Sequence, residues 1–189
     1  MTKKSTRDPI LYVDCTSTLR GGLNTGVQRV VRALISQKAV FEEVLQFECV
    51  PICYQFNGFY RLDDAERITL ATEAAFTAVD FCMGDVYLCP DAFWTMGMCD
   101  WFKFMKDRGV SVAVVIYDLI PLVRPDFVAA EDCHSFQRAL REAVVRSDML
   151  FCISQATKCD LEDFCNREGL TFSSELCPVI PLAPALSIG

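Results

Sequence analysis

Four short polar segments hold the residues that could do chemistry in this chain, and each comes after a short apolar run. The first, Leu19-Arg20-Gly21-Gly22-Leu23-Asn24-Thr25-Gly26, leads into a stretch with helical spacing. Unpaired amides and the dipole at a helix N-terminus attract an anion, and glycines let the backbone come close, so a phosphate could dock here. The same residues also read as a plain strand-to-helix connection, and they match neither G-x-G-x-x-G nor a Walker loop. The second, Tyr117-Asp118-Leu119-Ile120-Pro121, puts a carboxylate at the end of the most apolar strand. Asp118 there can take a proton from a substrate hydroxyl or hold a sugar hydroxyl. It can equally turn the chain through local hydrogen bonds. In the third, Asp91 lies near Trp94. An aromatic face beside a carboxylate suits a sugar ring, whereas Trp94, Trp101, Phe104 and Met105 also describe a helix packing face. The fourth, Cys152-Ile153-Ser154, is most simply a helix cap and lacks the G-x-S-x-G elbow of hydrolases.

Arg29, Arg32 and Arg124 are anion partners by type, although arginines on the polar face of a helix are ordinarily just solvated. Cys133 and His134 are adjacent, and neighbours on a helix do not face one another, which speaks against a thiol nucleophile.

The elements that must position these segments follow from periodicity. Ile10 to Val13 reads as a buried strand, Thr18 to Gly26 as a glycine-bearing loop. From Thr25 onwards, Val27, Val30, Val31, Leu34 and Ile35 form one apolar helical face, with Gln28, Arg29 and Arg32 on the other. Val44 to Cys53 reads as a strand, and Tyr54 to Leu62, with Asn57-Gly58, as a hairpin. Further along, the pattern predicts a helix over Glu66 to Val79, a strand at Asp85 to Cys89 and a helix from Trp94 to Lys106 stopped by Gly109. Ser111 to Tyr117 is a strand apolar on both faces. A helix around Phe136, Leu140, Ala143 and Val144, a strand at Met149 to Ile153, a helix from Ser154 to about Arg167 and a last strand at Leu176 to Leu182 complete the chain. Alternation of this kind predicts a doubly wound α/β fold: a mostly parallel Rossmann-like sheet with helices on both faces. Ligands of such sheets sit beyond the carboxyl ends of the strands, so the loops Asp14 to Gly26, Pro90 to Trp94, Asp118 to Arg124 and Ser154 to Thr157 should converge on one rim.

Of the 189 residues, 52% are hydrophobic and 23% charged, enough for a well-buried core and too apolar for a largely disordered chain. A net charge of −7 speaks against nucleic acid as a partner. Eleven cysteines with no C-x-x-C pair, and a single histidine, fit buried reduced thiols better than a disulfide framework or a zinc set. Met1 to Pro9 is polar and basic, without the apolar stretch of a signal peptide. The longest apolar run, Val110 to Val123, is broken by Asp118 and Pro121 and falls short of the roughly 20 residues of a spanning helix. The expected location is cytoplasmic, at most peripheral at the inner face of the cytoplasmic membrane. Lys3, Lys4 and Arg7, three basic residues against a net charge of −7, make a weak case for contact with anionic lipid.

Taken together, Tyr12-Val13-Asp14-Cys15-Thr16 and Asn24-Thr25-Gly26-Val27-Gln28-Arg29-Val30-Val31-Arg32 resemble the opening of a bacterial subgroup of family 4 glycosyltransferases, mannosyltransferase-like enzymes of O-antigen and exopolysaccharide assembly. The resemblance continues through Gly84-Asp85-Val86, Asp91 with Trp94, Arg108-Gly109-Val110, Val115 to Pro121 and Cys152-Ile153-Ser154-Gln155-Ala156-Thr157. It implies the N-terminal, acceptor-side half of a GT-B fold, with residues 1–9 a flexible N-terminus, 10–183 the domain and 184–189 the start of a linker. Val179-Ile180-Pro181-Leu182-Ala183 resembles the segment where the family crosses into its C-terminal, nucleotide-binding domain, which this chain is expected to lack.

The activity implied is transfer of a sugar from a nucleotide-sugar donor to a glycan or lipid-linked glycan acceptor, with retention of configuration and no obligatory metal or other cofactor. Such a half-enzyme is expected to be inactive until a C-terminal domain or partner subunit completes it, and an exposed cleft face would favour self-association. By the resemblance, Asp118 is the candidate catalytic carboxylate, with Tyr117 before it in place of the usual histidine. Gly21 and Gly22 lie in the loop approaching the donor diphosphate, and Thr25, Gln28, Arg29, Asp91 and Trp94 shape the same substrate cleft. Two other readings remain: a non-catalytic glycan- or protein-binding module, and an independent nucleotide- or phosphate-binding enzyme with a flavodoxin-like sheet.

Overall fold

The computed structural model describes residues 7–21, 25–62, 77–95, 97 and 99–182. Seven strands form one sheet: β1 (Ile10–Asp14), β2 (Glu48–Gln55), β3 (Gly58–Arg61), β4 (Thr77–Ala78), β5 (Val86–Cys89), β6 (Ser111–Ile116) and β7 (Met149–Cys152), in the order β4-β3-β2-β1-β5-β6-β7. β2, β1, β5, β6 and β7 run parallel, and β3 and β4 extend the β2 edge antiparallel. The helices are α1 (Thr16–Gly21), α2 (Gly26–Ser36), α3 (Lys38–Leu45), α4 (Asp100–Asp107), α5 (Ile120–Val123), α6 (Ala130–Arg146) and α7 (Gln155–Glu168). The chain is thus an α/β protein with a Rossmann-like doubly wound sheet.

Two apolar clusters show why both faces are covered. Strand side chains alternate, so Leu11 and Val13 of β1 meet Val31 and Ile35 of α2, while Ile10 and Tyr12 join the opposite cluster. That larger cluster packs Val112, Val114 and Ile116 of β6 against Phe102 and Met105 of α4, Phe136 and Leu140 of α6 and Leu161 and Phe164 of α7. Each fully buried side chain of this size contributes about 1.5–3 kcal/mol.

The elements depart from the sequence pattern where local hydrogen bonds or aromatic packing outweigh periodicity. Residues 18–21, expected as loop, lie in α1: Asp14 Oδ1 accepts from Thr16 N at 2.8 Å, and Leu19 N donates to Cys15 O at 3.0 Å, which closes a helical turn directly off β1. β2 begins at Glu48 rather than Val44, because α3 occupies the preceding residues. The hairpin expected within Tyr54 to Leu62 forms between β2 and β3 and turns at Phe56 and Asn57, with φ of 47° and 60°. That register pairs Tyr54 with Phe59, and Phe59 packs on Phe81, Tyr87 and Trp101, which offsets the left-handed conformation forced on Phe56. Most of the helix expected over Glu66 to Val79 lies outside the described residues, and Thr77–Ala78 are strand. α4 starts at Asp100 instead of Trp94, after a series of turns from Asp91. It ends before Gly109, whose φ of 75° suits glycine and where a Cβ would meet Met83 Cγ at 3.1 Å. The expected last strand is reduced to a single parallel bridge, Cys152 to Val179.

All eleven cysteines are free. Among the described residues, no helix is long and apolar enough to cross a membrane. No group of three or more His, Cys, Asp or Glu among them is placed to hold a metal ion.

Candidate functional site

The chain leaves β1 for β2 on one side and re-enters the sheet at β5 on the other, so β1 and β5 flank the topological switch point. The carboxyl ends of parallel strands at such a point define the crevice where α/β proteins bind ligands. Here the loops after β1, β5, β6 and β7 are stitched into one edge. Asp91 Oδ2 accepts from Thr18 N at 2.6 Å, joining the β5 loop to α1. Tyr117 Oη donates to Pro90 O at 2.7 Å, joining β6 to β5, and Thr157 Oγ1 donates to Tyr117 O at 3.0 Å, joining β7 to β6. On the far side, Thr16 Oγ1 accepts from Tyr54 N at 2.8 Å and ties α1 to β2.

Beneath this edge the strand ends carry buried carboxylates. Asp14 is completely buried, its Oδ1 taken by the Thr16 amide and its Oδ2 by the Tyr87 hydroxyl. Burial pushes the Asp14 carboxyl up to about 6, against the pull of those hydrogen bonds and with a smaller push from the charge of Asp91. Burial likewise raises Asp91, opposed chiefly by the amides of Thr18 and Ala92. The Tyr87 and Tyr117 hydroxyls are raised by burial first and by neighbouring carboxylates second, so both stay protonated donors.

The candidate residues divide sharply by what they already touch. Asp118 stands exposed at the end of β6; its Oδ1 accepts from Ile120 N at 3.0 Å, and its Oδ2 has no partner among the described residues. Tyr117 and Asp91 lie on the same edge, but both are buried and their polar atoms are bonded to backbone. Trp94 is half-buried and packs edge-on to Phe93 and Phe136, with centroids 5.2 and 5.3 Å away, so its indole belongs to the core face. Gln28, expected on the polar face of α2, is buried because its Oε1 accepts from the amide and hydroxyl of Thr25 and caps the helix. Arg29 and Arg32 are exposed on that helix. Gly21 closes α1, and Gly22 lies outside the described residues.

Other charged residues are engaged elsewhere. Arg124 is paired with Asp126 at 2.9 Å and stacked on Phe127. Arg7, grouped by sequence with Lys3 and Lys4, makes a two-pronged pair with buried Asp85 at 2.6 and 2.8 Å. His134 is exposed, with Nδ1 at 2.8 Å from Ala130 O.

Asp14 closes an apolar strand and opens the first strand-end segment, so its place is legible in the sequence; its partner Tyr87, 73 residues away, is not.

Fold and site together define a Rossmann-like α/β domain with a polar strand-end edge at its switch point, on which Asp118 stands exposed with one oxygen open. Comparison with protein-family models and with curated proteins finds no match.

Proposed function

We propose that the chain is the acceptor-side domain of a retaining glycosyltransferase, transferring a sugar from a nucleotide-sugar to a glycan or lipid-linked glycan, with the nucleotide gripped by a second lobe. The observation that carries this reading is Asp118, an exposed carboxylate with one open oxygen on an edge where the neighbouring carboxylates are buried and engaged. An acceptor hydroxyl donating to Asp118 Oδ2 is oriented by the carboxylate and can lose its proton towards it as the new glycosidic bond forms. The loop behind is stiffened by the Ile120 amide and by Pro121, so the carboxylate is presented in one place. Donor diphosphate binding needs cationic groups or oriented amides. Arg124, the arginine nearest in sequence to Asp118, is paired with Asp126, which supports a donor site on the second lobe rather than beside Asp118.

The test pairs binding with turnover. Glycan-array binding and calorimetry on the chain are expected to detect an oligosaccharide acceptor and no tight nucleotide-sugar binding. Fused to the C-terminal lobe of a family 4 transferase, the chain is expected to transfer sugar, and Asp118→Asn should lower kcat about 100-fold with folding unchanged. An unaltered rate in Asp118→Asn removes the role of that carboxylate. Glycan binding without transfer in any fusion identifies a non-catalytic binding module instead, and tight nucleotide binding by the isolated chain a self-contained nucleotide enzyme.

A further inference from the structure

We propose that Cys152 and Cys177 form a reversible dithiol–disulfide site, oxidised by a small-molecule disulfide, that locks the outer edge of the sheet. The two sulfurs lie 3.4 Å apart, both buried, on two segments joined side by side. β7 is the last strand of the sheet on this side, and the chain returning after α7 is held to it by Cys152 N to Pro178 O at 3.1 Å and Ile180 N to Cys152 O at 2.8 Å. An edge segment held by so few bonds opens locally far more readily than the core, which gives the buried sulfurs a route to solvent.

The surroundings assign the two thiols different parts. Cys177 lines a solvent-open cleft of about 140 Å³ with Ser147, Phe172 and Leu176, large enough to admit part of a small thiol compound. Both cysteines belong to the main apolar cluster, with Cys165 and Leu161, but Cys152 does not line that cleft. Burial opposes ionisation at both sulfurs and the charge of Lys158 favours it. Lys158 is anchored nearby, its Nζ donating to Ser174 O at 2.9 Å. Cys177, the thiol that reaches the cleft, is the attacking sulfur and Cys152 the resolving one.

The chemistry balances as two successive exchanges. The Cys177 thiolate, its proton released to solvent, attacks one sulfur of the small disulfide, whose S–S bond breaks and whose leaving thiolate takes up a proton. Cys152 then gives its proton to the second leaving group and attacks the Cys177 sulfur, expelling the remaining small thiol. Two protein thiols are oxidised by two electrons, and one disulfide is reduced to two thiols. The product closes the loop that contains α7 and staples the returning segment to β7.

The test titrates the reduced full chain with oxidised glutathione, followed by peptide mass mapping. The expected first product is a linked Cys152–Cys177 peptide pair, two hydrogens lighter than the free peptides and reversed by dithiothreitol. Cys152→Ser should instead trap glutathione on Cys177, and Cys152→Ala serves the same purpose if the serine variant does not fold. In the wild type, oxidation should slow amide exchange at Ile180 and Cys152 by at least tenfold. The proposal is overturned if exposed Cys159 is glutathionylated while the linked pair stays absent. It is equally overturned if the mixed disulfide in Cys152→Ser forms on other cysteines and not on Cys177.

Discussion

Replacing Asp14 with asparagine tests the electrostatics at the floor of the switch point. The Asp14 carboxyl is wholly buried and pushed from 3.8 to about 6, mainly by burial. The folded protein therefore holds this proton about a hundredfold more tightly than the unfolded chain does, a difference of about 3 kcal/mol. Because the folded value is the higher one, the contribution is fully present below the unfolded value of 3.8 and is lost as pH rises through about 6. Asparagine does not titrate; its Oδ1 can accept from the Thr16 amide as the carboxylate does, and its Nδ2 can donate to the Tyr87 hydroxyl oxygen. Urea unfolding of both proteins in buffers from pH 4 to pH 7.5 reads the difference. The stability of Asp14→Asn relative to the wild type should climb by about 3 kcal/mol across that range, with most of the rise centred on the two values above. A constant difference, or one that falls with pH, would refute the account of a carboxylate held against its own desolvation. Tyr87→Phe sharpens the test: it removes the donor that favours the charged form, so the same loss should begin at lower protein stability and extend to higher pH.

Two further substitutions probe carboxylates whose work is architectural. Asp91→Ala leaves the Thr18 and Ala92 amides without their acceptor and should cost about 2–3 kcal/mol in thermal or urea unfolding, a loss too large for a freely solvated ligand residue. Arg7→Ala strips buried Asp85 of its cation, although the Ile10 and Cys82 amides still donate to it; with Arg7 partly open to solvent, the expected cost is about 2 kcal/mol, and a change below 0.5 kcal/mol by the same measurement would show the pair to be idle.

Apolar pattern reads well where an element is buried on one face, as α2 and α7 are, or on both, as β1 and β6 are, and that is why β1, β5, β6, α2 and α7 stand where the residues predict. It fails where a polar side chain is spent on backbone. Thr16 and Asp14 turn an expected loop into α1, and Gln28 is buried because it caps the helix it begins, which no count of apolar positions registers. At the hairpin, Asn57-Gly58 marks the turn region in the sequence, while the register that brings Phe59 onto the aromatic cluster is set by the turn at Phe56 and Asn57. The candidate site was partly legible for the same reason. Asp91, Tyr117 and Asp118 were all readable as strand-end residues, and nothing local tells which of them is engaged.

Residue order alone determined that this chain alternates short apolar strands with helices, which forces a parallel sheet and gathers its polar loops at one end. Only the tertiary structure decided which polar groups remain open there. Hydrogen bonding across loops distant in sequence consumes Asp91 and Tyr117 and leaves Asp118 facing solvent. The same holds for Arg7 with Asp85 and for Cys152 with Cys177, pairs separated by 78 and 25 positions. Burial and partnership are properties of neighbours in space, and a linear pattern carries the tendency to be buried without the identity of the neighbour.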